Sequence, residues 1–319
     1  MKIAPIDLPT YAREVLPRTA SLWAGKRDFE RYVAQTEAIA RSGYGRRHFR
    51  TIGLYDGETL LASMKRYERT LRFGEHRLRA FGIGAVFTPE ELRGRGYASA
   101  MLAMNLDAAR EDGYDLAYLF SDIRPKFYAD LGFTLLPSRA ISLRVDGLAT
   151  PRIEVRRLED DDWAGVRRCF ELCERGRGWG LVRTPLVWEW LRLRMQQGAE
   201  HSVGEQTNLV VRRGRGIAAY VLGVRAPEHD AYLLDEFGFA DAEAAALVPA
   251  LLRSAAGDLH RVTGWLPPDG ARERLPKASV RKRSDALLMA AGLSRNGERW
   301  LHLAATPSSA DGVWSTDHI

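Results

Sequence analysis

One short run concentrates the chemistry of this chain. Arg93-Gly94-Arg95-Gly96-Tyr97-Ala98 follows an apolar, glycine-spaced stretch from Ala80 to Phe87, a turn at Thr88-Pro89 and the acidic pair Glu90 and Glu91. Behind it Ala100, Leu102, Ala103, Leu106 and Ala109 recur at the spacing of a helix. A strand, a glycine turn and a helix start in this order make an anion site. The free N–H groups of the first turn and the helix dipole both favour phosphate oxygens. Gly94 and Gly96 let the backbone approach a ligand with no Cβ in between, and Arg93 and Arg95 add two positive charges.

The spacing Arg-x-x-Gly-x-Gly/Ala occurs twice more, at Arg175–Gly180 and at Arg213–Ala218. Context separates the three. Arg213–Gly216 lies between two apolar runs and reads as a hairpin turn. Arg175–Gly180 follows a helix-like segment and runs into Leu181, Val182 and Pro185. Neither has a strand before it and a helix after it, so both are expected to be solvated basic loops.

The elements that position the first run can be read in order. Leu16–Phe29 and Arg31–Ala40 have helical patterning. Arg50–Leu54 and Thr59–Tyr67 are strands around Asp56-Gly57, a strong hairpin signal. Arg77–Phe87 is a strand, Tyr97–Asp112 a helix stopped by Gly113, and Leu116–Ser121 a short apolar strand. Pro125 opens a helix carrying Phe127, Tyr128 and Leu131. Gly132–Leu136 and Ala140–Val145 are expected to close the sheet.

The loop together with Phe127-Tyr128-Ala129-Asp130-Leu131-Gly132-Phe133 resembles the GNAT superfamily of acetyl-CoA-dependent N-acyltransferases. The match is to its pyrophosphate loop and to its tyrosine helix with the following Gly-Phe turn. The motifs cover roughly residues 50–145, and the order of elements is that of the GNAT fold.

After Asp146–Arg152 the order restarts: a strand at Ile153–Arg156, helices at Asp160–Cys173 and Val187–Met195, a hairpin at Asn208–Val224, a strand at Ala231–Phe237 and a helix at Ala242–Ala256. This is a weak internal duplication. The expected fold is therefore α/β (α+β) with two tandem GNAT-like domains, each a mixed, mostly antiparallel sheet flanked by helices. Residues 1–147 form the acetyl-CoA-binding catalytic domain and residues 152–319 a degenerate copy. In that copy Phe239-Ala240-Asp241-Ala242-Glu243 replaces the loop, and two carboxylates in the first turn satisfy the dipole internally and repel phosphate.

The tandem arrangement resembles the enhanced-intracellular-survival type of acetyltransferase, whose members acetylate amines, aminoglycosides among them. Those proteins carry a third, sterol-carrier-like domain and place a C-terminal carboxylate at the active site. This sequence ends in VWSTDHI at residue 319, short of a complete third domain, so neither the carboxylate role nor aminoglycoside specificity carries over from the sequence.

What the resemblance implies is direct attack of a primary amine on the thioester of acetyl-CoA. The pantetheine arm lies along Ala85, Val86 and Phe87, with a backbone N–H, Val86 the candidate, polarising the carbonyl. The pyrophosphate rests on Arg93, Gly94, Arg95, Gly96, Tyr97 and Ala98. Ser121 is placed against the pantetheine, and Tyr128 protonates the departing thiolate. A base is open among Glu58, Asp122, His48, Asp235 and Glu236. Trp23, Tyr32 and Tyr44 are candidates for the acceptor pocket, with burial in the core as the competing role. A non-catalytic acyl-CoA-binding or regulatory module is the alternative function; a proton donor at Tyr128 would be needless there.

Composition agrees with this class. The chain has 319 residues, 45% hydrophobic and 28% charged, and a net charge of +6. Residues 1–150 hold 23 Lys and Arg against 18 Asp and Glu, and residues 151–319 hold 24 against 23, so the excess lies in the half with the loop. No apolar run approaches a membrane span, and MKIAPIDLPTYAREVLPR has no apolar leader core. Cys169 and Cys173 share a helix face and are expected to be buried or half-buried thiols, and a cytoplasmic protein is the expectation. The expected partner is a small-molecule or peptide amine. Nucleic acid, membrane and metal are not expected, and a homo-oligomer is left open.

Overall fold

The computed structural model describes residues 1–122, 124–149, 154–199, 204–268, 272–275, 277–306 and 311–319. The chain opens with β1 (Lys2–Pro5) and four helices, α1 (Leu8–Glu14), α2 (Leu16–Trp23), α3 (Phe29–Arg41) and α4 (Gly43–His48). There follow β2 (Phe49–Asp56), β3 (Thr59–Phe73), β4 (His76–Phe87), α5 (Tyr97–Glu111), β5 (Leu116–Ser121), α6 (Pro125–Ala129), β6 (Thr134–Leu135) and β7 (Arg139–Arg144). The second half begins with β8 (Arg156–Arg157), α7 (Trp163–Glu174), β9 (Trp179–Leu181), α8 (Pro185–Ala199) and β10 (Glu205–Gln206). It continues with β11 (Leu209–Arg213), β12 (Gly216–Ala226), β13 (Ala231–Phe239), α9 (Ala242–Ala245), α10 (Val248–Ala256), β14 (Arg261–Trp265), β15 (Ser279–Lys282), β16 (Leu287–Gly292) and α11 (Arg295–Ala304).

Local chemistry explains the boundaries. Asp7 and Asp28 cap α1 and α3 by accepting from the N–H groups of Thr10 and Arg31. The helix expected over Leu16–Phe29 stops at Trp23, and the Asp28 cap starts α3 at Phe29, two residues before the expected Arg31. Gly57 and Gly113 take positive φ at the β2–β3 turn and just past α5. The strand β1, pairing with β2 from Lys2↔Tyr55 to Pro5↔Ile52, went unread because four residues carry no period. The expected strand at Ile153–Arg156 lies partly outside the described residues; of its described residues only Arg156 is in a strand, β8.

Two mixed sheets result, each flanked by helices. The first runs β1-β2-β3-β4-β5-β16-β6, with β9 added beside β3. The second runs β15-β7-β14-β13-β12-β11-β8, with β10 beside β12. Chain order does not divide them. Residues 139–144, expected to close the first sheet, lie in the second, between β14 and β15. In exchange β16 lies in the first, antiparallel to β5 from Leu287↔Ser121 to Gly292↔Leu116. The physical reason is burial. Leu288, Met289, Ala290 and Ala291 are all buried, and a run apolar on both faces belongs inside a sheet.

The last described segment, residues 311–319, ties the two sheets together. Asp311 accepts from Arg139 at 2.7 Å, and Trp314 sits edge-on to Phe237 at 5.1 Å. Asp317, 2% exposed, receives Arg69 of β3 at 3.1 Å and Arg183 at 3.0 Å. Arg183 also reaches Glu236 of β13 at 2.7 Å, whose other oxygen accepts from Tyr220 at 2.6 Å. Asp317 would be raised by burial alone, but Arg183 and Arg69 hold its carboxyl below the usual carboxylate range.

Removing one member of such a buried set leaves uncompensated charge. Arg183→Met is expected to lower stability by about 3–5 kcal/mol, read as a shift of the denaturant midpoint with an unchanged slope.

Candidate active site

The site begins with a break in pairing. β4 and β5 run parallel and pair from Ala80↔Leu116 to Ile83↔Leu119. Beyond Ile83 they separate, although β4 continues to Phe87 and stays paired with β3, Lys65 opposite Gly84 and Ser63 opposite Phe87. The register shifts between these two pairs, and Ala85 takes φ 48°, the left-handed region that a non-glycine residue rarely enters. A bulge of this kind bends its strand away from its neighbour. It leaves one edge of Gly84–Phe87 without a strand partner, open to an extended ligand.

At the end of β4 the chain turns through Pro89 and a short 3-10 turn into the glycine run. Gly94 and Gly96 have φ of 78° and 80°. Gly96 is the N-cap of α5, and no side chain caps that helix, so its first-turn N–H groups are free for a ligand. A Cβ at either glycine would meet no protein atom; the requirement is for the backbone angle and for ligand approach. The guanidinium groups of Arg93 and Arg95 each donate one hydrogen bond within the loop, to the carbonyls of Thr88 and Glu91, both at 3.3 Å.

The corresponding place in the second half is closed. Asp241 accepts from the N–H of Ala244 at 2.8 Å, and Arg213 pairs with both Asp241 and Glu243. The cap, the dipole and the arginine are all used internally. Arg213–Gly216 is the β11–β12 hairpin turn, as its flanks indicate. The run at Arg175–Gly180 is not a solvated loop. Arg177 pairs with Glu174 and donates to the Gly312 carbonyl at 2.6 Å, and Trp179–Leu181 is β9. Arg177 serves packing against β3 and the terminal segment, while Arg175 is exposed.

Opposite the loop, Ser121 ends β5, buried at 2% exposure. Tyr128 lies on α6, which starts just past that end. It is half-buried, with its ring edge-on to Phe127 at 5.0 Å and to Phe133 at 6.1 Å. Burial, aided by the charge of Asp122, raises its phenol above the ordinary tyrosine value, so it carries its proton at neutral pH. Ala85–Phe87 and Arg93–Ala98 thus lie on one stretch beyond the last β4–β5 pair, Ile83↔Leu119, while Ser121 ends β5 two residues past that pair and Tyr128 is on the helix that follows.

The candidate bases scatter. Glu58 is exposed at the β2–β3 hairpin, beside a cavity of about 460 Å³ that Glu14, Arg18, Ser63, Phe87 and Leu92 also line. Asp122 is exposed and accepts from the Ala286 N–H at 3.1 Å. His48 lies against Tyr44 at 5.4 Å, and burial lowers its pKa. Asp235 is pushed up to about 6 by burial and accepts from Ser315 at 2.8 Å. Glu236 is fully buried in the ion network. Of the aromatic candidates, Tyr44 stacks on Trp190 at 5.0 Å and donates to Glu68, and Tyr32 is buried beside Thr19, so both serve the core. Trp23 is half-buried and edge-on to Phe87 at 6.4 Å.

Two groups were not found from sequence. One is the polar stripe of β3, Ser63, Lys65, Tyr67 and Arg69. Its signal was the run Ser63–Arg69, polar at every position but Met64 although β3 is a central strand. The other is the terminal segment. The Arg194 guanidinium donates to the His318 carbonyl, and the Ile319 carbonyl atoms lie 3.7 Å from where a Cβ on Gly84 would stand. A Cβ at Gly82 would overlap Ile319 Cδ1. The two glycines of β4 therefore admit residue 319 beside the gap.

Comparison with known proteins agrees with this geometry. Residues 18–136 match the acetyltransferase (GNAT) domain family. No curated protein sequence is a significant match. Among solved structures, a GCN5-related N-acetyltransferase from Kribbella flavida is 19% identical, covering 98% of this chain and 77% of its own, with TM-score 0.68. A probable N-acyltransferase from Enterococcus faecalis V583 is 17% identical over 91% of this chain and 71% of its own, with TM-score 0.70. Eis1 from Mycobacterium abscessus is 15% identical over 92% and 73%, with TM-score 0.60. Residues 18–136 are thus similar to the GNAT acetyltransferase domain family, and the solved structures share the fold. The chain as a whole has the tandem GNAT fold, in an arrangement like that of the enhanced-intracellular-survival proteins. Among the described residues no helix is long and apolar enough to cross a membrane.

The terminal segment makes a pH prediction. Burial, with Arg194 nearby, lowers His318 to about 4. Between about 4 and its unfolded value of about 6.5 the unfolded state binds the proton and the folded state does not, so stability falls with falling pH. Asp235, raised to about 6, acts with the opposite sign from about 6 down to the usual 3.8, because there the folded state holds the extra proton. The two partly cancel. His318→Phe, which keeps a ring against Phe120 and Trp265, removes one side of the balance. Relative to the parent, the variant is expected to gain about 2 kcal/mol between pH 7.5 and 4.5, read by denaturant melts across pH.

Proposed function

We propose that the protein moves an acetyl group from acetyl-CoA to a primary amine by direct attack. The observation that carries this reading is the parting of β4 and β5 directly before an uncapped, glycine-led helix start. An open strand edge suits the amides of a pantetheine arm, and the free first-turn N–H groups of α5 suit the pyrophosphate. Both lie on one continuous stretch, Gly84–Ala98.

In this mechanism the pantetheine pairs with Ala85, Val86 and Phe87, and the Val86 N–H polarises the thioester carbonyl. Arg93–Ala98 cradle the pyrophosphate, with Gly94 and Gly96 permitting contact. Ser121 packs against the arm from the β5 side. The neutral amine attacks the carbonyl carbon, the tetrahedral intermediate collapses, and the carbon–sulfur bond breaks. The adduct's nitrogen loses its extra proton to solvent, Tyr128 gives its proton to the departing thiolate, and a proton from solvent restores the phenol. Its raised pKa keeps it in the donating form, which fits this task.

The loop assignment is tested by a matched pair. Gly96→Val forces a β-branched residue to φ near 80° and places methyl groups where the pyrophosphate must approach. It is expected to weaken acetyl-CoA binding by more than roughly tenfold, that is about 1.4 kcal/mol. Gly216→Val, at the second-half hairpin, meets only the Arg213 carbonyl at 3.9 Å and should leave affinity unchanged. Calorimetric titration of both decides, and equal weakening would refute the choice of loop.

Tyr128→Phe keeps the ring against Phe127 and Phe133 and removes the proton. The expected result is a fall in kcat of roughly 10²–10⁴-fold with acetyl-CoA affinity held, measured by thiol release with a panel of amines. Full kcat in the variant would remove Tyr128 from the mechanism.

A further inference from the structure

We propose that the acceptor side of the first sheet is built to hold a carboxylate, so that the amine acceptor is a small molecule carrying an anionic group, of the amino-acid type. The inference rests on the acetyl-transfer reading above and goes on to name the class of acceptor.

The face of β3 turned away from α5 carries Ser63, Lys65, Tyr67 and Arg69 in alternation. Arg69 is consumed by Asp317. Lys65 is not consumed. Among the described residues no carboxylate pairs with it and no hydrogen bond satisfies it; its ammonium stands 5.8 Å from the centre of the Tyr11 ring. The Tyr11 and Ser63 hydroxyls are buried, and neither has a hydrogen-bond partner among the described residues. Two buried hydroxyls beside a half-buried, unpaired ammonium are thus left open, and a buried hydroxyl is costly unless a ligand or water completes it.

The charges that act on Lys65 itself are positive. Arg27 and Arg194 both lie near enough to disfavour charge on Lys65, and burial does so more strongly, bringing it to about 8. Arg27 spends its donors on the carbonyls of Trp23 and Ala24 and on Gln35. Arg194 spends one on the His318 carbonyl and lies over Trp190 at 4.8 Å. Neither pairs with a carboxylate among the described residues. The nearest carboxylates to Arg194 are engaged elsewhere, Asp317 by Arg69 and Arg183, and Asp235 by Ser315. A polycationic acceptor would meet the unpaired Lys65 ammonium here. An anion would neutralise the lysine and take hydrogen bonds from Ser63 and Tyr11.

Position sets the size of the acceptor. Lys65 is the register partner of Gly84, next to the bulged Ala85 where the thioester carbonyl is placed. The anionic group therefore binds within a few atoms of the attacking nitrogen. Ser63 lines the cavity of about 460 Å³ between α1, α2 and the β2–β3 hairpin, which supplies the way in.

The test uses glycine and β-alanine against their amides, with kcat/KM measured for each in the parent protein and in Lys65→Met. Comparing the carboxylate-to-amide ratio between the two proteins cancels differences in amine basicity. The ratio is expected to fall roughly 10- to 100-fold in Lys65→Met and to recover in large part in Lys65→Arg. An unchanged ratio overturns the proposal. A second readout needs no turnover: calorimetric titration of N-acetylglycine and N-acetylglycinamide into the CoA-loaded protein. Tighter binding of the acid, lost in Lys65→Met, supports the subsite, and equal binding of acid and amide overturns it. Absence of turnover with every amine, alongside intact acetyl-CoA binding, would instead refute acetyl transfer while the titration still decides the subsite. Acetyl-CoA affinity measured on each variant reports that it is folded.

Discussion

The buried ion network of Arg69, Asp317, Arg183 and Glu236 is the constraint on which the assembly depends. Each partner comes from a different element: β3 of the first sheet, the terminal segment, the stretch before α8, and β13 of the second sheet. Charges removed from water this far must find one another, because an isolated one would cost several kcal/mol. The network therefore specifies a single arrangement of the two sheets and holds residues 315–319 between them. Tyr220 and Thr316 fill the remaining acceptor sites of Glu236. The outcome is that residue 319 stands beside Gly84, where the first sheet opens.

The opening follows from a local defect in an otherwise regular sheet. β4 pairs with β3 along its length but with β5 only to Ile83. The bulge at Ala85 turns the strand away, and the chain then reaches α5 through a left-handed glycine instead of a capping side chain. The second half shows the contrast at the same point. There Asp241 caps a helix of one turn and Arg213 neutralises the carboxylates. Similar folds thus carry opposite electrostatics at one helix start, and only the first has N–H groups to offer an anion.

The exchange of β7 and β16 binds the halves further. Each sheet contains a strand from the other's stretch of chain, so neither half can bury its apolar faces with its own residues alone. A hydrophobic strand such as Leu287–Gly292 finds two strand neighbours only by crossing over. This also explains why the short stretch between β7 and β8 does not mark the limit between sheets, although composition changes there.

Much of the first half was legible in residue type and spacing. The Asp56-Gly57 turn, the glycine run with a strand before it and a helix after it, and the tyrosine helix are encoded within a few residues of themselves. Their conformations depend on local terms: positive φ at glycine, a free helix start, apolar periodicity. The second half's lack of an anion loop was equally local, since Asp241 and Glu243 announce their own cap. What the sequence could not decide were the relations between distant segments. Arg69 and Asp317 are far apart in the chain and meet only because the sheets bring them together. The arginine run at 175–180 looked like a loop and proved to be packed, because its partners, Arg72 and Gly312, lie far from it in the chain. Lys65 had no reading as a lone lysine in a strand. Its meaning depends on what faces it, and the helices α1 and α8 that face it are placed by burial and by the ion network, long-range terms that no spacing along the chain records.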